Sequence, residues 1–242
     1  LPRVAADERA IKRFLREIDS TRALNHPNVV RVEDAGYARG TCFLALEDWA
    51  GGSVADLMKQ CGGTLPADEA VEITLQALEG LHYAHNAFGP GKGLVHRDLK
   101  PANLFLTGSG SARVAKVGDY GLAKAFDDAG LSGNTRTGDV LGTPSFMARE
   151  QVIDFKSAEP EVDVWAMAAS LYNMLTGAVP RDFPPGQDKL LVVLEAAPVP
   201  IRSRKPSVPK ELAEVIDRAL VEEPAIPFKT AAEFKEALES AL

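Results

Sequence analysis

The stretch His96-Arg97-Asp98-Leu99-Lys100-Pro101-Ala102-Asn103 sets a carboxylate, a cation and an amide side by side, and a second carboxylate follows in Asp119-Tyr120-Gly121. Asp98 can take the proton of an attacking hydroxyl, and Lys100 can face a transferring phosphate. Asn103 and Asp119 offer oxygens to a divalent cation such as Mg²⁺, which keeps waters and phosphates as its other ligands. Phosphoryl transfer calls for such a set. Its loose transition state spreads negative charge, so catalysis is mostly positioning and electrostatics. For a lone Asp or Asn, a turn or cap would be the default reading. With each residue type at about one position in twenty, five fixed positions coincide by chance roughly once in ten thousand chains of this size, which sets aside a merely charged surface loop.

Outward from this stretch the pattern alternates early and becomes helical later. Residues 7–24 read as a helix, with Ile11, Phe14, Leu15 and Ile18 in an apolar stripe. His26-Pro27-Asn28 ends it, because proline disfavours the helical region for its predecessor. Residues 29–35 and 41–47 read as strands joined at 36–40. Residues 48–53 form a connector, and 66–87 a long helix opened by Pro66, Asp68 and Glu69. On it Val71, Leu75, Leu78 and His82 share a face that Ile73, Ala77 and Leu81 widen. Residues 113–117 read as a short strand. Residues 124–142, rich in Gly, Asp, Ser and Thr, read as a surface loop. Helices are expected at 161–176, 187–196, 209–221 and 230–241. This order is an α+β pattern, with a small strand-bearing part before a larger helical one.

The chain has 242 residues, 27 Lys plus Arg and 34 Asp plus Glu, for a net charge of −7. That balance argues against nucleic-acid or membrane-surface binding. Cys42 and Cys61 build no disulfide framework and are expected to pack as small apolar groups in a reducing compartment. No signal peptide is visible, and the apolar run at 162–180 carries Asp163, Ser170 and Asn173, so it reads as a buried helix. The expectation is a cytoplasmic protein, or the cytoplasmic part of a longer membrane-anchored one. The sequence is silent on oligomeric state.

His96-Arg97-Asp98 and Asp119-Tyr120-Gly121, with Tyr in place of Phe, resemble the signature of the eukaryotic-type protein kinases, most closely their bacterial serine/threonine members. The resemblance covers essentially the whole chain and implies a two-lobed fold. Residues 1–47 would be a remnant of the smaller lobe, one helix and two strands, and 48–242 the larger lobe. It implies ATP and Mg²⁺ as cofactors and Ser or Thr of proteins as substrate. By resemblance Glu17 matches the helix glutamate that pairs with a nucleotide-positioning lysine. Leu46 matches the gatekeeper, Glu47, Asp48 and Trp49 the hinge, Ser53 the ribose contact, and Phe105 the floor under adenine. The stretch 142–150 resembles the segment that docks a substrate peptide, with Thr143 bridging Asp98 and Lys100. Asp163 and Trp165 resemble the helix that supports the catalytic loop. Lys100, two residues past the catalytic Asp, resembles serine/threonine rather than tyrosine kinases.

The chain also departs from the pattern. No glycine-rich loop or lysine-bearing strand precedes Glu17, and Arg3 and Lys12 match that lysine by charge only. The 242 residues alone are therefore expected to phosphorylate poorly or not at all. Arg149 stands where the family has proline. Pro227 stands where it has the arginine that pairs with the glutamate matched by Glu150. The expected consequence is a loosened docking segment, with Glu150 turning to Arg149, Lys229 or solvent. Two other readings compete with a kinase: a pseudokinase or scaffold, and a small-molecule phosphotransferase. The metal-binding pair argues against the first, and the docking segment against the second. Arg97 before the catalytic Asp implies control by loop phosphorylation, since a phosphate adds about −2 charge for an arginine to bind. Tandem mass spectrometry of an active preparation should find phosphate on Thr135 or Thr137; neither carrying it would rule this out.

Overall fold

A computed structural model describes residues 8–38, 41–108, 110–120, 143–155 and 157–242. Among them the order is α1 (Glu8–Arg22), β1 (Val32–Ala38), β2 (Thr41–Leu46), α2 (Val54–Gln60), α3 (Ala67–His85), β3 (Leu104–Thr107), β4 (Val114–Val117), α4 (Arg149–Ile153), α5 (Glu161–Thr176), α6 (Lys189–Glu195), α7 (Ile201–Arg204), α8 (Lys210–Ala219) and α9 (Ala231–Glu239). The strands form two antiparallel pairs, β1 with β2 and β3 with β4. The fold is α+β, as expected, with the strands early and the helices late.

Helix α5 is the axis of the packing. It is apolar on every side, and Val162, Trp165, Met167, Leu171, Tyr172 and Leu175 are all buried. Its small residues Ala166, Ala168 and Ala169 let neighbouring helices approach, and α3, α8 and α9 pack on it. Gly177 ends it in the left-handed conformation, φ +74°, returning its N–H to the Asn173 carbonyl. The Trp165 indole N–H donates to the Leu220 carbonyl (3.2 Å), and Phe234 and Leu238 of α9 close the core.

Strand β1 starts three residues later than the sequence suggests. Val29 and Val30 are taken by β4: the Val30 N–H donates to the Val117 carbonyl and the Val117 N–H to the Asn28 carbonyl, both at 2.9 Å. The strand then runs on through Gly36, because the Phe43 ring of β2 lies across that glycine; a Cβ there would meet the ring at 2.8 Å. On α3 Val71, Ile73, Ala77, Leu78 and Leu81 are buried as expected. His82 is exposed, and the buried histidine is His85. The chain after α3 doubles back so tightly, with Gly93 against Ala84 and His85, that the helix's last turn faces inward at His85. Helices α2, α4 and α7 are too short for periodicity to reveal them. Helix α2 is set by a capping box in which Ser53 and Asp56 satisfy each other's backbone N–H. Cys61, expected in the core, is exposed at the end of α2; the Cys42 side chain lies outside the described residues. Among the described residues no helix is long and apolar enough to cross a membrane.

The contact between α3 and the stretch after α1 depends on Gly80, where a Cβ would lie 2.3 Å from the Asn28 carbonyl oxygen. Gly80→Ala should therefore cost stability despite its better helix propensity, by about 1–3 kcal/mol. Denaturant titration checks this, and an unchanged midpoint would show that the contact is not needed.

Candidate active site

One buried carboxylate shapes the loop at 96–103. Asp163, in the first turn of α5, accepts the backbone N–H groups of His96 (2.7 Å) and Arg97 (2.8 Å). Its Oδ2 also lies 2.8 Å from His85 Nε2. Burial pushes the Asp163 carboxyl up. The hydrogen bond and charge of His85, the charge of His96 and the His96 N–H outweigh that and hold it below the ordinary carboxylate value. To present two successive N–H groups to one carboxylate the chain turns left-handed at Arg97, φ +66°, an uncommon conformation for a non-glycine residue. The His96 ring then reaches the Gly118 carbonyl (2.6 Å), and Gln151 of α4 donates to the Arg97 carbonyl (2.6 Å). The Arg97 guanidinium lies 3.3 Å from the Ala158 carbonyl and over the Phe155 ring.

With the loop fixed, the side chains converge. Lys100 Nζ lies 2.7 Å from Asp98 Oδ2 and 2.8 Å from Thr143 Oγ1, while the Thr143 N–H donates to Asp98 Oδ1 (3.1 Å). The Asn103 amide nitrogen donates to the Asp98 carbonyl (2.7 Å), so the amide oxygen points the other way. The Gly118 N–H donates to the Asn103 carbonyl (3.0 Å), which ties the loop to Asp119. Asp119 is itself left-handed, φ +63°. Burial and the nearby negative charge of Asp98 raise its carboxyl, against the opposing pull of His96 and Lys100. Next to it Tyr120 is buried against the His96 ring, and burial together with the Asp163 charge holds its phenol far above the ordinary value. Thr21 of α1 donates to the Tyr120 carbonyl (3.3 Å). Among the described residues no three His, Cys, Asp or Glu side chains gather around one point. A cation here would draw on Asp119, the Asn103 amide oxygen and whatever phosphate and water come with it, which suits a hard ion such as Mg²⁺.

The expected nucleotide-contact residues form a second group. Leu46 ends β2, opposite Val32. The Glu47 carboxylate is turned back into the protein, accepting the Arg31 N–H (2.8 Å) and pairing with Lys116 of β4 (2.9 Å). The Trp49 ring packs on Phe105, centroids 4.2 Å apart. The connector joins β3 through Gly51 N–H to the Leu106 carbonyl and Leu106 N–H to the Gly52 carbonyl. Ser53 bridges to Phe105 through the backbone, and its hydroxyl serves the α2 cap. Glu17 lies in α1, with its side chain outside the described residues. Thr135, Thr137 and Arg3 also lie outside them, and Lys12 is exposed on α1.

Of the three outcomes expected for Glu150, the structure shows solvent. Arg149 pairs with Glu223 and Lys229 with Glu161, while Glu150 faces solvent. The Arg149 N–H donates to Glu222 (2.6 Å), and Glu222 in turn pairs with the buried Arg181.

A model of the protein kinase domain matches residues 2–226. The chain belongs to the protein kinase domain family. Members of this family act with ATP and Mg²⁺. This kinase domain is 32% identical over 248 residues to the tyrosine-protein kinase MasK of Myxococcus xanthus, covering all of this chain and 37% of that one. It is 32% identical over 234 residues to the serine/threonine-protein kinase PknJ of Mycobacterium tuberculosis, covering 95% of this chain and 38% of that one. The chain thus spans just over a third of the length of these relatives. Among solved structures, a double mutant of the Mycobacterium tuberculosis PknI kinase domain superposes with a TM-score of 0.71 at 25% identity. It covers 98% of this chain and 81% of that one. Rad53 residues 1–466 in complex with AMP-PNP share the fold, with a TM-score of 0.74 at 24% identity over 96% of this chain and 56% of theirs.

Sequence reasoning missed His85, Gln151, Lys116, Arg181 and Glu222. Each acts through a partner far along the chain, and only His85, a histidine ending a buried helix, left a local trace. The kinase domain's reliance on Asp163 is testable. Its depressed carboxyl contributes stability in full above the ordinary value of about 3.9, and that contribution is lost as pH falls through the lower folded value. Asp163→Ala strands two backbone N–H groups and His85, and should cost about 3–5 kcal/mol at neutral pH. Urea unfolding between acid and neutral pH should also show a flatter acid limb in the variant. Equal stability at neutral pH would refute the role.

Proposed function

We propose that the chain is the catalytic part of a serine/threonine protein kinase, with 1–47 contributing to a smaller lobe and 48–242 forming the larger one. The observation that supports this most is the triangle of Asp98, Lys100 and Thr143, closed by three bonds of 2.7–3.1 Å. Asp98 accepts the proton of the substrate hydroxyl, and Lys100 offsets charge on the transferring phosphoryl group. Asn103 and Asp119 would hold Mg²⁺. Mg²⁺-ATP, when bound, supplies the γ-phosphoryl group and neutralises its charge. Glu17, Leu46, Glu47, Trp49, Ser53 and Phe105 surround the nucleotide, with the Glu47 and Trp49 main chain toward the base.

The two relatives named above differ in whether tyrosine or serine and threonine appears in their names, so the acceptor is argued from the site. A Ser or Thr hydroxyl is one carbon from its backbone and must come down close to the base. Lys100, two residues past Asp98 and bonded to both Asp98 and Thr143, supports such an acceptor by its resemblance to the serine/threonine kinases. The protein substrate, and a cytoplasmic location, belong to the same reading.

The full-length protein with ATP and Mg²⁺ should place phosphate on serine or threonine of a mixed peptide pool. Asp98→Asn should lower the rate by about 10²–10⁴-fold. No transfer by the wild type would favour a binding module instead, and phosphotyrosine as the sole product would overturn the acceptor assignment. Asp119→Asn should abolish transfer yet raise thermal stability at neutral pH, because it removes a charge that burial disfavours. The stability gain should vanish below the ordinary carboxylate value, where Asp119 is protonated in the folded and unfolded states alike.

A further inference from the structure

Thr143 is useful only if the chain after it is held in place, and resemblance alone leaves that chain without its usual anchor, since Pro227 carries no charge. A different arginine fills the need. Arg181 follows α5 by a short turn and is 1% exposed. Its guanidinium donates to three acceptors: the Met147 carbonyl (3.1 Å), the Ala196 carbonyl (2.9 Å) and the Glu222 carboxylate. It also lies over the Trp165 ring, 4.6 Å from the centroid. The other oxygen of Glu222 accepts the Arg149 N–H at 2.6 Å. One ion pair therefore grips the docking segment at two backbone points, a carbonyl at 147 and an N–H at 149.

The planar fork of arginine suits this, because it can satisfy three acceptors at fixed angles where an ammonium would not. The pair also shares a support with the catalytic loop. Helix α5 carries Asp163, which holds residues 96 and 97, and Trp165, which backs Arg181. The catalytic loop and the segment at 147–149 are thereby both tied to one helix.

We propose that Arg181 and Glu222 are positioning residues that set the peptide-docking segment against Asp98, in place of the pair that resemblance assigns to Glu150. The proposal rests on the kinase reading above. It is tested in the full-length protein with Glu222→Ala, which removes the grip on the Arg149 N–H and the carboxylate that braces Arg181, and with Glu223→Ala as the control that breaks only the exposed bridge to Arg149. Glu222→Ala should raise the KM for a peptide substrate about tenfold and leave the KM for ATP within about twofold. Amide exchange over 144–149 should quicken in the same variant, and Glu223→Ala should change neither. Unchanged peptide KM, or an equal rise in both Michaelis constants with a lowered melting point, would overturn the proposal. If the wild type transfers no phosphate, the kinase reading fails, and exchange alone decides: undiminished protection at 144–149 in Glu222→Ala would then overturn the grip itself.

Discussion

A carboxylate with essentially no access to water carries much of this molecule. Asp163 would be costly to bury alone, and it is tolerated because three donors converge on it: two consecutive backbone N–H groups and a histidine ring. The arrangement works in both directions. The donors keep the acid ionised, and the acid obliges the chain to bend left-handed at Arg97. From that bend follow the direction of Asp98, the reach of Lys100 and the amide contact of Asn103. The His96 ring carries the same constraint to Gly118 and so to Asp119. A loop of polar residues, which in isolation would be mobile, is held as firmly as a piece of core.

Much of this was legible before any coordinates. The spacing of Asp98, Lys100 and Asn103 is a short-range chemical pattern, and short-range patterns survive in a linear reading. The mostly apolar content of residues 162–175 marks a buried helix despite Asp163, Ser170 and Asn173, and the observed bounds, Glu161–Thr176, agree with it. The stripe on α3 did as well, until its last turn. His82 continues the period by arithmetic, but the sharp return at Gly93 brings other chain against His85 instead. Periodicity describes a helix in isolation; what covers each face is a property of its neighbours.

The same limit explains the remaining differences. Val29 and Val30 look like the start of a strand and are used as one, but by β4, which lies some ninety residues further on. Cys61 has the composition of a core residue and the position of a helix cap, and position prevails. That Pro227 stands where the resemblance calls for an arginine is visible in the sequence, whereas the contacts of Arg181 are not. Arg181 and Glu222 are separated by 41 residues, and neither sits in a pattern that singles it out.

The pairing of Glu47 with Lys116 and the Arg31 N–H has a consequence for selectivity. If the connector after β2 meets the nucleotide base as proposed, then with the Glu47 carboxylate engaged elsewhere it would offer the heterocycle mainly peptide N–H and C=O groups, beside the packed Trp49 and Phe105 rings. Peptide groups are the same whatever residue bears them. Discrimination among purines at such a place would depend on backbone shape, and most side-chain changes along the connector would leave it untouched. A substitution at Lys116, well away from the heterocycle, would reach it by releasing the strut that holds that shape.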